Sequence, residues 1–260
     1  MKFTKMHGLG NDYLYHYGKI EHPEKMAVKL SDRHFGIGSD GIVQITPSEV
    51  ADFKMRIYNA DGSEAKMCGN GIRCVGKYVY EKGYTEKEDL SIETLSGIRF
   101  LKLATMGKTV KSVTVSMGKA EVRKPVTLTI EGKTILCTPV SVGNPHAVIF
   151  VKDVQKVPLD IWGPQIEKHS YFPEGVNVEF VEQVTENVLR MRVWERGSGI
   201  TMACGTGASA SAAAAVKKGI CSIGKDITVQ LDGGQLQIKV EEDDTVIMTG
   251  TANTICECEV

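Results

Sequence analysis

The sequence predicts an α+β fold of two similar domains, each mostly strands plus one long buried helix. Three observations carry that expectation. Residues 53–83 and 189–219 align without a gap at an offset of 136. Alternating or β-branched runs recur in both copies. Each copy also holds one Cys-Gly-x-Gly, followed by small and apolar residues up to a glycine.

The repeat is collinear. Met55-Arg56-Ile57-Tyr58 matches Met191-Arg192-Val193-Trp194, and Cys68-Gly69-Asn70-Gly71 matches Cys204-Gly205-Thr206-Gly207. Lys82-Gly83 matches Lys218-Gly219, and Leu95-Ser96-Gly97 matches Leu231-Asp232-Gly233. With small indels, Gly10-Asn11 corresponds to Gly143-Asn144 and Met117–Ala120 to Thr249–Ala252. Copies of this length mean two domains, because solenoid periods are far shorter. The boundary is expected near Gly118: a first repeat over 1–118, a second over 119–260, with room for the last residues to return to the first domain.

Phe53–Tyr58, Ser112–Met117, Val140–Val151, Val188–Trp194 and Ile227–Val240 read as strands. The helices after Cys68 and Cys204 end at Gly83 and Gly219, with lysine expected in the last turn of both. Met26–Phe35 is a lesser helix. Gly36-Ile37-Gly38-Ser39-Asp40-Gly41 fits the dinucleotide pattern G-x-G-x-x-G, but a helical stretch precedes it and a strand follows. The motif needs the reverse order, so the segment reads as a turn.

Apolar residues make up 42% of the chain and charged residues 24%, as in soluble globular proteins. A net charge of −1 offers neither a nucleic-acid face nor an anionic-membrane binder. The apolar stretch Ala208–Val216 is too short to cross a bilayer, and Met1–Lys5 lacks the apolar core of a signal peptide. Seven cysteines without framework spacing read as reduced thiols, so the expected compartment is the cytoplasm.

Cys68 and Cys204 fall in the first turn of their helices, where unpaired N–H groups and the positive end of the dipole favour a thiolate. The adjoining glycines let backbone approach a ligand, making each Cys-Gly-x-Gly an anion seat. One such thiol per domain suits the inversion of a tetrahedral carbon, which needs a base on one face and an acid on the other. Cys74, Cys137 and Cys221 read as packing residues. Cys256 and Cys258 lack a partner motif for metal and read as part of an ordinary terminal strand.

Several longer segments resemble the diaminopimelate epimerase family: His7–Asp12, Asp32–Gly41, Asn59–Glu64, Met67–Cys74, Gly143–His146, Gly175–Glu179, Trp194–Gly197 and Ala203–Gly207. The resemblance covers essentially the whole chain. It implies two pseudo-symmetric domains, each a strand-rich, barrel-like sheet around a central helix. It also implies an isomerase that needs no cofactor, pyridoxal phosphate and metal included, and that interconverts LL- and meso-diaminopimelate in lysine and peptidoglycan precursor biosynthesis. Its partner is a small amino-acid substrate, with a homodimer as an open possibility. By motif, Cys68 and Cys204 resemble the acid–base pair, and His146 and Glu195 the residues that tune the thiols. Gly69, Asn70, Gly205 and Thr206 resemble donors to the carboxylate at the reacting centre. Asn11, Gln44, Asn59, Asn144, Asn177, Glu195 and Arg196 resemble substrate contacts. The chemistry agrees, since an arginine fork grips a carboxylate and asparagine both donates and accepts.

One position departs from the family's pattern. Ile200 stands where the family usually has a glutamate before the second cysteine, while its repeat counterpart Glu64 keeps the acid. Three alternatives stay open: a two-cysteine racemase of proline, hydroxyproline or histidine; a thiol redox protein; and a non-catalytic binder using only the anion seats. Against redox stands the lack of a Cys-x-x-Cys motif at either key cysteine.

Overall fold

A computed structural model describes residues 1–260. The chain divides into two compact units, Met1–Val115 with Gly250–Val260, and Ser116–Thr249. The division falls inside the unbroken strand Thr109–Lys119, slightly before Gly118.

Both units pair their strands in the same order. In the first, Lys2–Gly8 lies between the antiparallel strands Asn253–Glu259 and Asn11–Tyr17. Asn11–Tyr17 then runs parallel to Gly41–Pro47, which pairs antiparallel with Phe53–Asn59. Phe53–Asn59 runs parallel to Asp89–Thr94, followed antiparallel by Gly97–Met106. In the second unit the series is Val126–Ile130, Lys133–Ser141, Pro145–Val151, then Asn177–Thr185 in parallel. Val188–Glu195 follows antiparallel, Asp226–Leu231 parallel and Gly234–Val240 antiparallel. The terminal strand Asn253–Glu259 carries Cys256 and Cys258 and fills, in the first unit, the place Val126–Ile130 holds in the second.

Four α-helices join these strands: α1 (Pro23–Ser31), α2 (Gly69–Glu81), α3 (Leu159–Glu167) and α4 (Gly205–Lys217). Helix α2 is buried from Gly69 to Val79 and packs on Lys2–Gly8, Asn11–Tyr17 and Gly97–Met106. Helix α4 packs on Lys133–Ser141, Pro145–Val151, Asn177–Thr185, Val188–Glu195 and Gly234–Val240. Strands on so many sides explain its sequence, because a helix enclosed all round needs small apolar residues on every face.

The sequence reading of elements needs four corrections. Val140–Val151 is two strands, broken at Gly143 with φ of 96°. Ile227–Val240 is also two strands, turning at Asp232-Gly233. In both, the apolar periodicity continues through the reversal and hides it. Helix α1 begins at Pro23, whose missing N–H costs nothing at a helix start. It ends at Ser31, because Asp32 turns the chain by accepting the His34 and Phe35 amides, each at 2.7 Å. Lysine lies in the last turn of α4 only, as Lys217; in α2 the cap itself is Lys82. Residues 36–40, by contrast, do form an irregular turn before the strand beginning at Gly41.

Two packing cysteines make a pH prediction. Burial pushes the Cys74 thiol up to about 11 and the Cys137 thiol up to about 12. Above the ordinary thiol value of 9 the unfolded chain releases protons that the folded chain retains. The contribution of these two thiols is therefore constant below pH 9 and is lost as pH rises from there towards 12. Melting temperatures across that window check it, and Cys74→Ala with Cys137→Ala flattens the decline.

Candidate active site

Each cysteine caps its helix in the same way. Cys68 is the N-cap of α2, in extended conformation, and its sulfur accepts the Gly71 amide at 3.3 Å. Cys204 is the N-cap of α4, also extended, and its sulfur accepts the Gly207 amide at 3.3 Å. A sulfur placed so lies at the positive end of a 13-residue helix and satisfies one of its orphan N–H groups.

Around Cys68 the deciding neighbour is Asn11. Its Nδ2 donates to Asp40 at 2.7 Å, so its carbonyl oxygen faces the thiol, and Cys68 Sγ donates to that oxygen at 3.2 Å. Asp40 is itself held by Arg33 at 3.0 Å, which also reaches Asp12 at 2.8 Å. Asn70 is buried, and its side-chain oxygen accepts from Arg73 at 3.0 Å. The fully buried Arg73 guanidinium also donates to the carbonyls of Gly69 and Thr251, so the first turn of α2 is tied from below. Asn59 closes the turn at its strand end through the Ser63 hydroxyl at 3.0 Å. Gln44 accepts the Ile20 amide at 3.4 Å and is not bonded to the cysteine.

Around Cys204 the neighbours are acidic. Thr206 Oγ1 lies 3.4 Å from the sulfur, and Asn144 Nδ2 donates to that hydroxyl at 3.3 Å. Asn144 Oδ1 meets His146 Nε2 at 3.0 Å, and His146 Nδ1 meets Glu179 Oε1 at 2.7 Å. Glu195 accepts from the Thr201 hydroxyl. Burial raises the Glu195 carboxyl above its ordinary value. Burial, reinforced by the carboxylates of Glu195 and Glu179, pushes the Cys204 thiol well up, so its resting form is the protonated one. Asn177 accepts the Arg196 amide at 3.0 Å and donates to the Pro145 carbonyl at 3.0 Å. Arg196 Nη1 donates to the Glu174 carbonyl at 2.9 Å. A cavity of about 340 Å³ opens here, with Asn144, His146, Glu174 and Gly175 in its wall.

The Ile200 substitution falls outside this network. Ile200 is 47% exposed, and its counterpart Glu64 only pairs with Arg56. In the second unit the matching arginine, Arg192, lies 3.6 Å from Asp232 instead. The acids near Cys204 are Glu195 and Glu179, and Ile200 changes neither.

The diaminopimelate epimerase family profile matches residues 3–123 and 138–255, which carry both cysteine sites. The chain belongs to the diaminopimelate epimerase family. Among its relatives, diaminopimelate epimerase of Methanococcus maripaludis (strain C5) is 50% identical, over 100% of this chain and 99% of that one. The diaminopimelate epimerase of Phocaeicola vulgatus is 52% identical, over 100% and 98%. Solved structures share the fold at lower identity. A probable proline racemase from Agrobacterium radiobacter superposes with a TM-score of 0.79 at 16% identity, over 100% of this chain and 92% of that one. A PhzF-family phenazine biosynthesis protein from Bacillus anthracis gives 0.80 at 17%, over 100% and 98%. As a member of the diaminopimelate epimerase family, the chain is an isomerase built of two units, each a mixed sheet around a buried helix. No helix is long and apolar enough to cross a membrane.

Three residues inside the diaminopimelate epimerase motifs gain a role only from the tertiary structure. Asp40 orients Asn11, Arg73 braces α2, and Glu179 pairs with His146. Only Glu179 leaves a signal, as a lone acid inside the apolar run Val176–Val181, where an unpaired carboxylate is rare. Glycine at 207 follows from the same carboxylate. A Cβ there meets Glu179 Oε1 at 2.7 Å, with the carboxylate packed in place. Gly207→Ala is expected to cost about 1–3 kcal/mol, as overpacking does, read as a lower denaturant midpoint with unchanged m.

Proposed function

We propose that this protein interconverts LL- and meso-diaminopimelate by inverting one Cα with Cys68 and Cys204 as base and acid, feeding lysine and peptidoglycan precursor biosynthesis. The single observation behind this reading is the matched capping geometry: both sulfurs accept an i+3 amide at 3.3 Å on buried helices. A two-base inversion needs one thiol on each face of the carbon. Cys68 takes the α-proton as a thiolate, its own proton having passed to solvent, while the protonated Cys204 delivers its proton to the opposite face; the reverse direction exchanges the roles. The amides of Gly69, Asn70, Gly205 and Thr206 supply donors for the substrate carboxylate, where charge grows as the Cα–H bond breaks. Thr206 and Asn144 orient the sulfur of Cys204, and Asn11 that of Cys68. Arg196, beside Asn177, grips the distal carboxylate, and Asn59, Gln44 and Glu195 complete the substrate contacts. The reaction occurs in the cytoplasm and takes no cofactor.

Isotope labelling in heavy water tests the mechanism. Product is expected to gain deuterium early while recovered substrate stays protiated, because separate thiols serve the two faces. Equal early labelling of both pools points to one base and removes the two-thiol mechanism. Activity on proline or histidine with none on diaminopimelate assigns the site to another amino acid.

A further inference from the structure

The two units place equivalent strands in the same register, and this exposes a difference between their sites. Leu14 pairs with Ile42 in the first unit as Ala147 pairs with Val178 in the second. With Asn11 equivalent to Asn144, Tyr13 then corresponds to His146 and Val43 to Glu179. The first unit thus carries a phenol and an isopropyl group where the second carries an imidazole and a carboxylate. Neither His146 nor Glu179 is exposed beyond 1%. Burying a carboxylate is costly without a partner, so its presence at only one of two duplicated sites calls for a use there.

The contacts of the pair define that use. Glu179 Oε1 is 2.7 Å from His146 Nδ1, while Oε2 is buried with no hydrogen-bond partner. On its other side His146 Nε2 meets the carbonyl oxygen of Asn144, an acceptor only, so Nε2 carries a proton. The Asn144 amide then donates to Thr206, and Thr206 touches the Cys204 sulfur. The carboxylate also packs against the first turn of α4 at Gly207, where the helix dipole favours negative charge. The titratable groups in reach of this pair are Glu195, Cys204 and Cys137. All three are neutral or anionic, so His146 is the one group present able to balance the carboxylate.

We propose that Glu179 is a positioning residue: it holds His146 as a doubly protonated imidazolium, and through the chain His146–Asn144–Thr206 it fixes the hydroxyl that orients the Cys204 sulfur. The proposal deepens the two-thiol reading and rests on it for its kinetic consequence, though not for the protonation state. It makes the two thiols inequivalent. Cys68 is oriented by a neutral asparagine held on Asp40, whereas Cys204 is oriented by a charged relay.

Histidine-selective 15N spectra of the full-length protein test the protonation state, with His146→Gln assigning the signals. In the unaltered protein both ring nitrogens of His146 are expected to be protonated at pH 7. In Glu179→Gln, an isostere without the charge, the ring is expected to lose one proton at the same pH. Its kcat is expected to fall by about tenfold to a hundredfold, the usual scale for an outer residue that orients an inner one, with a smaller change in KM. The loss is expected to vanish when Glu179→Gln is added to His146→Gln, because Glu179 acts through that ring. A singly protonated His146 in the unaltered protein overturns the proposal whether or not the variant folds. A folded Glu179→Gln with unchanged kcat overturns it as well. Absence of any diaminopimelate turnover in the unaltered protein instead removes the functional reading and leaves the spectra to decide the ion pair.

Discussion

Cys68→Ala and Cys204→Ala are each expected to slow inversion by roughly 10²–10⁴-fold, the range set by removing one general acid or base. The more telling result is what survives. Each variant keeps one thiol, so each is expected to exchange the α-proton of one stereoisomer with solvent far faster than it inverts either. The stereoisomer that exchanges is expected to differ between the two variants, since the remaining base addresses opposite faces. Cys204 is held protonated by burial and by Glu195 and Glu179, so exchange that relies on it, in Cys68→Ala, is expected to need higher pH. Proton NMR of each isomer in heavy water, with chiral separation of the products, reads all of this. Near-normal inversion in either variant removes that cysteine from the chemistry.

Arg196→Lys is the second large effect. Arg196 is exposed but tethered. Its backbone amide is fixed on Asn177, one terminal nitrogen is fixed on the Glu174 carbonyl, and Gly175 leaves room for its stem. Lysine keeps the charge but cannot reproduce the planar fork. Hydrogen bonds to charged groups are worth about 1.5–3 kcal/mol, so kcat/KM for diaminopimelate is expected to fall roughly tenfold to a hundredfold. The loss is expected to be far smaller for an amino acid without a distal carboxylate. A uniform loss across such a panel means Arg196 acts on folding rather than on the substrate.

The gapless offset of 136 could be read from the chain because a duplicated helix must keep its length and its cap to keep its packing. Both helices indeed run 13 residues from a capping cysteine. The strand assignments at Val140–Val151 and Ile227–Val240 were less legible. Periodicity reports which face is apolar and is silent on a reversal that preserves that face.

By itself the sequence determined that this is a duplicated protein with a cysteine heading one buried helix per copy, and it carried the family with those motifs. Those features are local: a repeat, a cap and a run of small residues are visible wherever they stand in a chain. The tertiary structure decided which charges meet. Asp40 with Asn11, Arg73 with Thr251 and Glu179 with His146 are brought together by strand pairing and helix packing across long sequence separations. Whether a thiol is held as acid depends on such encounters. Cys68 and Cys204 have nearly the same flanking residues, Cys-Gly-Asn-Gly and Cys-Gly-Thr-Gly. What distinguishes Cys204 is burial beside carboxylates donated by other strands, and Coulomb energies depend on that distance in space rather than on position in the chain.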